Sequence, residues 1–226
     1  MRRKTGTRER IVAAAMRLFH ERGYHATGIM EIREEAGVTN SGFFYYFNSK
    51  ADLGCAVARR YLKLLPSEVF LPMLRTIGDP VDRVFAVIDG YREIMEKKQF
   101  SAGCPMGRMA MEISDSNPKA ATILNEAFSA WVATVKTWLL EAADRFPPKT
   151  DLAKLAMFVL VTMEGAVMLS RSTRNFDPFD ESVEELQRYF ELLCAQARGK
   201  KKGKGKGKGK GKGKGKDDPP ETDQAQ

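Results

Sequence analysis

Residues 26–50, with the sequence ATGIMEIREEAGVTNSGFFYYFNSK, predict two short helices separated by a tight turn. Thr27 is a suitable N-cap for the first helix, and Thr39 for the second. Gly37 ends the first helix, because glycine adopts backbone conformations that are costly for residues with a Cβ. Apolar residues recur at helical spacing in both segments: Ile29, Met30, Ile32, Ala36, Phe43, Phe44 and Phe47. This pattern is the helix-turn-helix unit, whose second helix enters the major groove of DNA.

A third helix is predicted ahead of this unit, over residues 8–22, with Thr7 as its N-cap and Gly23 at its end. Its apolar face would support the two helices that follow. The basic residues Arg2, Arg3 and Lys4 have two interpretations that stay open. They form either a solvated tail or an arm that contacts phosphates or the minor groove.

Charge is distributed unevenly along the 226 residues, whose net charge is +8. Residues 1–50 carry +4 and residues 199–226 carry +6, whereas residues 51–198 carry −2. Basic ends around a slightly acidic middle indicate that the ends meet a polyanion and that the middle has a different role.

The cysteines and histidines argue against several classes of protein. Cys55, Cys104 and Cys194 are odd in number and widely separated, so we expect a reducing cytoplasm and no disulfide framework. His20 and His25 have no cysteine cluster to join, so neither a metal site nor a cofactor is predicted. No nucleophile–histidine–acid set and no phosphate-binding loop is recognisable, so the sequence does not predict an enzyme.

Apolar runs in the sequence are short. The run at residues 11–16 is stopped by Arg17 and is too short for the core of a signal peptide. The longest charge-free apolar run, residues 155–163, is about half of a membrane span. We therefore expect a soluble cytoplasmic protein with no membrane partner.

Downstream of Lys50 the sequence predicts more helices and no strand, so the fold class is all-α. The expected helices cover residues 51–65, 80–98, 106–113, 118–145, 151–172 and 182–198, with a proline-containing loop at 176–179. Their expected caps are Ser49, Asp79, Asn117 and Thr150. Residues 199–216 alternate glycine and lysine and have nothing apolar to bury, so this tail is predicted to be disordered through residue 226. It would add sequence-independent phosphate contacts or serve solubility alone.

Residues 27–50 resemble the TetR family of one-component transcriptional repressors. The resemblance rests on Gly37 and Val38 in the turn, on Tyr45, Tyr46 and Phe47 in the recognition helix, and on Ser49 and Lys50 after it. It implies a helix-turn-helix DNA-binding domain at residues 1–50 and a helical ligand-binding and dimerisation domain at 51–198, ahead of the Lys-Gly tail at 199–226. In that family the last two long helices form a four-helix bundle in a homodimer. The apolar stripes of residues 151–172 and 182–198 are natural dimer faces, although simple core packing predicts the same stripes.

Two shorter segments resemble a TetR subgroup that includes electrophile-responsive and acrylate-responsive repressors. These segments are Gly103-Cys104-Pro105-Met106-Gly107, followed by Glu112, and Glu164-Gly165-Ala166, followed by Ser170, Arg171, Asp177 and Pro178. Two positions depart from the family pattern. Arg33 stands where alanine is usual, and Phe44 stands where a phosphate-contacting tyrosine is common.

Candidates for DNA contact lie at the start of the recognition helix and at helix caps. Asn40 is the best candidate for base readout, because its amide can pair bidentately with adenine. Lys50 combines a long cationic side chain with a helix N-terminus and is expected to bind a phosphate. The other candidates are Thr27, Gly28, Thr39, Ser41, Tyr45 and Tyr46. Phe43 and Phe47 are expected to pack in the core.

The middle helices are rich in methionine and aromatic side chains, which usually form core but would also line a ligand cavity. The candidate effector contacts among them are Met106, Trp131 and Met163. Cys104 is a further candidate because it stands at an expected helix start, where the helix dipole lowers the thiol pKa and favours the reactive thiolate. A small buried cysteine without a sensing role is the alternative.

Together these features predict a ligand-responsive repressor that binds a palindromic operator in double-stranded DNA as a homodimer and is released by a small-molecule effector. In this hypothesis, effector binding shifts the helix at residues 51–65 and changes the distance between the two recognition helices. Two alternatives stay open. One is a repressor that senses electrophiles or redox state through Cys104, and the other is a less specific architectural DNA-binding protein that uses its basic ends.

Overall fold

The computed structural model describes residues 6–206, so the basic residues Arg2, Arg3 and Lys4 and the tail after residue 206 lie outside the described residues. The α-helices in chain order are α1 (Thr7–Arg22), α2 (Ile29–Ala36), α3 (Asn40–Tyr46), α4 (Lys50–Leu64), α5 (Leu71–Thr76), α6 (Pro80–Lys97), α7 (Pro105–Ile113), α8 (Pro118–Glu141), α9 (Leu152–Thr173) and α10 (Asp177–Lys206). A π-helical turn, Leu65–Phe70, joins α4 to α5, and a 3₁₀ turn, Ala143–Arg145, follows α8. Residues 6–206 contain no strand, which confirms the all-α prediction.

Side-chain caps explain where several helices begin. Thr39 Oγ1 accepts a hydrogen bond from the backbone N–H of Gly42 at 3.1 Å, as predicted for the N-cap of α3. The predicted caps Ser49, Asp79 and Asn117 accept equivalent bonds from N–H groups in the first turns of α4, α6 and α8. These polar residues therefore set the positions of the helices around them.

Several predicted boundaries were wrong. Thr7 is the first residue of α1 and Gly6 is the N-cap. Asp151, not Thr150, caps α9, because its carboxylate accepts two backbone N–H groups of the first turn. The expected loop at residues 176–179 is mostly helical, since Pro178 lies in the first turn of α10 and needs no N–H there. Likewise α10 continues beyond Arg198, because extending an existing helix needs no new nucleation.

Helices α1, α2, α3 and the start of α4 enclose the core of an N-terminal module. The side chains that fill it are Ile11, Ala15, Leu18, Phe19, Ile32, Ala36, Phe43, Phe47 and Leu53. Phe43 and Phe47 are fully buried, which confirms their predicted role in packing. The module meets the rest of the chain where α4 packs on α8 and where α1 packs on α7.

Helix α8 is the centre of the second core and packs against α4, α6, α7 and α9. Its Trp131 and Trp138 rings meet the Phe70 ring edge-on, at centroid distances of 6.2 and 5.6 Å. Helix α9 lies between α8 and α10. By length and composition it is apolar enough to cross a membrane, but 44% of its most apolar window is buried in the fold, and the core helix of a soluble protein passes the same test.

The stripe of α9 that was predicted as a dimer face or as core is core. Leu155, Ala156, Val159 and Met163 are buried within the single chain. A different set of apolar side chains is exposed on α9 and α10: Met157, Phe158, Leu169, Tyr189 and Leu192. We call this set the α9–α10 apolar face.

Candidate DNA-reading unit and effector cleft

The turn between α2 and α3 depends on Gly37, which has φ 61° and ψ 49°. This left-handed conformation costs energy in a residue with a Cβ. The N–H groups of Gly37 and Val38 donate to the carbonyls of Glu34 and Arg33, at 3.1 and 3.0 Å, and so close the end of α2. The predicted glycine turn is therefore present, and it fixes how α3 leaves α2.

Helix α3 presents its polar side to solvent. The side chains of Thr39, Asn40 and Ser41 are exposed at its start, and the hydroxyls of Thr39 and Ser41 lie 3.2 Å apart. Tyr45 is 80% exposed, and its ring meets that of Tyr46 edge-on at 4.8 Å. Phe43 anchors the opposite side of the helix in the core. The structure thus brings five predicted DNA contacts together on one accessible surface.

Thr27 is placed differently from the prediction. Helix α2 begins at Ile29, and its N-cap is Gly28, whose N–H donates to Glu31 Oε2 at 2.7 Å. Thr27 is fully buried, and its hydroxyl donates to the Gly23 carbonyl at 2.7 Å. The prediction that Thr27 caps this helix was wrong, because its side chain turns inward to satisfy the end of α1.

Lys50 lies at the N-terminus of α4 and is half-buried. Its Nζ donates to the His25 carbonyl at 3.3 Å and lies 4.5 Å from the centre of the Tyr24 ring. Burial lowers the pKa of this ammonium group, and nearby Glu112 and Glu31 oppose the shift. Lys50 therefore ties α4 to the segment between α1 and α2.

Arg33 and Phe44, the two residues that depart from the family pattern, both lie partly exposed on the DNA-reading module. Arg33 is half-buried on α2, and its Nε is buried without a hydrogen-bond partner among the described residues. Phe44 is 45% exposed on α3 and packs edge-on against Phe43, at 5.2 Å between ring centres. Phe44 therefore presents an apolar surface and no hydroxyl to solvent.

The second domain contains a cleft of about 880 Å³ between α7, α8 and α9. Its apolar wall consists of Ala110, Met111, Phe128, Leu160, Val161, Val167 and Met168. Its polar side chains are Cys104, Arg108, Glu112, Glu164, Arg171 and Ser172. Among the predicted effector contacts, Cys104 lines the cleft. Met106, Trp131 and Met163 are buried in the core and do not line it.

Glu164 is the most unusual group in the cleft. Burial raises the pKa of its carboxyl, although the Cys104 thiol opposes the shift through a hydrogen bond. Its Oε1 is buried and has no hydrogen-bond partner among residues 6–206. Gly107 makes room for the carboxylate, because a Cβ at that position would collide with Glu164 Oε2. A buried polar atom without a partner costs about 1–3 kcal/mol, so a water molecule or a ligand in the cleft would stabilise this oxygen by hydrogen bonding to it.

Cys104 is the N-cap of α7, and its Sγ accepts a hydrogen bond from the Gly107 N–H at 3.5 Å. Its pKa is nonetheless raised well above the ordinary value, first by burial and then by the neighbouring Glu164. A helix N-terminus contributes about 0.3–1 kcal/mol to a charge, whereas burying that charge costs several kcal/mol. The prediction of a lowered pKa at Cys104 was therefore wrong, because burial outweighs the helix end.

Arg171 supplies an unpaired positive charge to the cleft. Burial and the nearby Arg108 lower the pKa of its guanidinium group, and Glu112 raises it. No ion pair joins Arg171 to a carboxylate within the described part of the chain. Arg108, in contrast, is paired with Glu112 at 3.2 Å. Arg171 is thus the charged group in the cleft with the most to gain from a bound anion or acceptor.

Sequence reasoning did not single out Arg108, Glu164 and Arg171 as cleft residues. In the sequence, Glu164 and Arg171 are notable only as parts of a segment that resembles a known family. A usable signal was present, because both charges lie in the long part of helix α9 after Lys154, which is otherwise uncharged, and a charge in such a helix needs a reason.

Two family profiles match the chain. Residues 11–57 match the profile for bacterial regulatory proteins of the TetR family. Residues 80–185 match the C-terminal domain of LmrA/YxaF-like transcriptional regulators. The two matches fall on the helix-turn-helix module and on the helices that enclose the cleft.

Individual relatives agree with these profiles. The chain is 30% identical over 182 residues to an HTH-type transcriptional regulator of Mycobacterium tuberculosis (strain ATCC 25618 / H37Rv), covering 77% of this chain and 89% of that protein. It is 25% identical over 180 residues to the HTH-type transcriptional repressor DhaR of Mycobacterium sp. (strain GP1), covering 79% and 89%. The crystal structure of a TetR transcriptional regulator from Chloroflexus aurantiacus superposes with a TM-score of 0.72 at 31% identity, covering 84% of this chain and 97% of that one.

Proposed function

Because the chain belongs to the TetR family of bacterial transcriptional regulators, we propose that it is a ligand-responsive repressor that binds a palindromic operator as a homodimer. One observation carries the proposal. A module with an exposed polar recognition helix is joined to a domain whose cleft holds a buried carboxyl oxygen that has no hydrogen-bond partner among residues 6–206. The first part fits DNA, and the second fits a small molecule.

Base readout in this proposal belongs to Asn40, in the first turn of α3. Its amide is exposed. The amide NH₂ can donate to N7 of adenine while the amide oxygen accepts from the N6 amino group, and this pair of hydrogen bonds selects adenine. Thr39, Ser41, Tyr45 and Tyr46 surround it and would contact phosphates or the groove wall. Gly28 and Lys50 lie at the N-termini of α2 and α4, where phosphates are favoured.

The α9–α10 apolar face supports the homodimer. Five large apolar side chains are exposed there, and the Phe158 and Tyr189 rings meet edge-on at 5.8 Å across the two helices. Monomeric proteins rarely expose contiguous apolar patches of more than a few hundred Å². A second copy that packed the same face against this one would cover the patch and place two recognition helices on one operator.

The cleft supports a largely apolar effector with at least one polar group. Phe128, Leu160 and Met168 would surround its apolar body. Glu164 and Arg171 lie two helical turns apart on the same side of α9, so a polar group can meet either of them. Cys104 would line the cleft without reacting, because its raised pKa leaves little of the reactive thiolate.

Selection of bound duplexes from a randomised library, followed by gel-shift titration, tests the proposal. We expect a palindromic consensus and a preference over a scrambled duplex of about 10³-fold or more, as is usual for specific binding. Asn40→Ala should weaken consensus binding by about 1–3 kcal/mol and relax specificity at one base pair per half-site. Equal affinity for consensus and scrambled DNA would instead identify the architectural DNA-binding protein.

A further inference from the structure

We propose that the effector of the cleft is an apolar organic anion and that Arg171 binds its anionic group. The inference rests on the proposed function, because it assumes that the cleft is the effector site, and it adds the charge class of the molecule. Two observations carry it. Arg171 lines the cleft without an ion pair among residues 6–206, and its stem is already held at one end of the cleft by contact with Gly103.

The side chain of Arg171 leaves α9 near its C-terminal end and passes the backbone of Gly103, just ahead of α7. A Cβ added to Gly103 would lie 3.7 Å from Arg171 Cδ and 2.9 Å from Val167 Cγ1. The missing side chain of Gly103 therefore leaves room for the stem of Arg171. Because this contact restrains the half-buried stem, a ligand would not bear the whole entropic cost of ordering it.

Neither of the two carboxylates that line the cleft pairs with Arg171 in the described structure. Glu112 is paired with Arg108 at 3.2 Å, and its other carboxylate oxygen accepts the His25 N–H at 2.8 Å. Glu164 lies two helical turns before Arg171 on α9, about 10 Å along the helix axis. Burial raises the pKa of Glu164 and so favours its neutral form. The positive charge of Arg171 is therefore left for a ligand to neutralise.

The groups around Arg171 add to the positive potential at this end of the cleft. Arg108 lines the same cleft and lowers the pKa of Arg171 by repulsion. Burial lowers the pKa of the His20 imidazole, and Lys98, Arg108 and Arg171 lower it further, so these three cations lie near one another. A cleft lined by one sign of charge concentrates ligands of the opposite sign. An anion bound beside Arg171 would also relieve the repulsion among the cations.

The rest of the cleft fits the apolar part of such a molecule. Phe128, Leu160 and Met168 line it, and its volume of about 880 Å³ lies within the usual range for small-molecule sites. The neutral carboxyl of Glu164 can hydrogen-bond to an uncharged group such as a hydroxyl. The cleft therefore fits one anionic group at the Arg171 end, followed by an apolar body, and it disfavours cations.

Two dyes that share one ring system separate the effect of charge from that of apolar contact. The anionic probe is anilinonaphthalene sulfonate, and the uncharged probe is N-phenylnaphthylamine, which lacks only the sulfonate. Both dyes become brightly fluorescent in an apolar site, so fluorescence titration with the full-length protein gives a dissociation constant for each. The comparison of interest is how each substitution changes the two constants.

Arg171→Met removes the charge but keeps an apolar stem against Gly103, and Arg171→Lys keeps the charge. Arg59→Met is the matched control, because Arg59 is exposed on α4, has no ion pair within the described residues and lines a basic groove between α1 and α4. Gly165→Leu shows where the dyes bind, since Gly165 lines the cleft and a Cβ there meets no atom within 4 Å. Thermal unfolding verifies that each variant is folded, and Arg171→Gln replaces Arg171→Met if that variant does not fold.

We expect Arg171→Met to weaken binding of the sulfonate dye at least about tenfold, as for loss of a charge-assisted hydrogen bond, and binding of the uncharged dye less than about twofold. Arg171→Lys should stay within about threefold of the parent for both dyes. Gly165→Leu should weaken both dyes, and Arg59→Met should weaken neither.

Three results would contradict the proposal. If Arg171→Met changes the two dyes equally while Gly165→Leu weakens both, the cleft remains a ligand site but does not select anions. If Arg59→Met weakens the sulfonate dye as much as Arg171→Met does, the dye responds to surface charge in general and Arg171 is not its site. If Gly165→Leu affects neither dye, the anion site and the cleft as effector site are both wrong.

Discussion

At the scale of single residues, the carboxyl of Glu164 makes stability depend on pH. Burial raises its pKa in the folded protein above the unfolded value of about 4.3. The stability contributed by its protonated form is fully present below pH 4.3 and is lost as pH rises through the folded pKa. Glu164→Gln cannot ionise, so we expect a higher melting temperature than the parent at pH 7.5 and no gain at pH 4. Glu126→Gln, at an exposed site, is the control, and equal differences at both pH values would contradict the argument.

The hydroxyl of Thr27 points into the core and stabilises the end of α1 instead of capping α2. Thr27→Val keeps the shape of the side chain but removes the donor to the Gly23 carbonyl. We expect urea unfolding to show a loss of about 1–3 kcal/mol in the free energy of unfolding, because a buried acceptor is left unsatisfied. Operator affinity of the folded variant should change little. A loss of affinity with unchanged stability would instead place Thr27 against DNA.

At the scale of elements, α7 can approach α9 closely because Gly107 has no side chain. Gly107→Ala should gain little stability, since its Cβ would displace the carboxylate end of the Glu164 side chain. Gly90→Ala is the matched control in α6, where a Cβ meets no atom within 4 Å and alanine favours the helix by about 0.5–1 kcal/mol. In urea unfolding, Gly90→Ala should therefore stabilise the protein more than Gly107→Ala does. Equal stabilisation by both substitutions would show that the Glu164 carboxylate moves aside at no energetic cost.

Local signals in the sequence were sufficient for most elements. The α2–turn–α3 unit follows from Thr39, Gly37 and the spacing of the phenylalanines, all of which act within one or two helical turns. Boundaries failed where two caps competed, as at Thr150 and Asp151, because neither side chain is excluded by local chemistry.

The cleft and the contact between α7 and α1 could not be predicted in the same way. The bonds from Arg108 and Glu112 to α1 and its following turn join residues more than 80 positions apart, and no periodicity encodes such pairs. Helix α9 is apolar on nearly all sides, so the pattern could not separate its core stripe from its exposed face. The burial that raises the Cys104 pKa is likewise a product of tertiary packing.

At the scale of the whole molecule, the α9–α10 apolar face should decide whether two reading modules act together. Phe158→Asp would place a carboxylate in the middle of that face, and desolvating a charge in an apolar interface costs several kcal/mol. We expect analytical ultracentrifugation to show a monomer and gel shifts to show at least a 100-fold loss of operator affinity, because one module makes about half of the contacts.

Leu140→Asp controls for the general effect of a new charge, since Leu140 is 53% exposed on α8 and lies outside the face. It should leave both the oligomeric state and operator binding unchanged. Far-UV circular dichroism of each variant separates loss of association from loss of folding. A Phe158→Asp protein that stays dimeric would move the interface elsewhere, and a monomer with full operator affinity would show that one module suffices for binding.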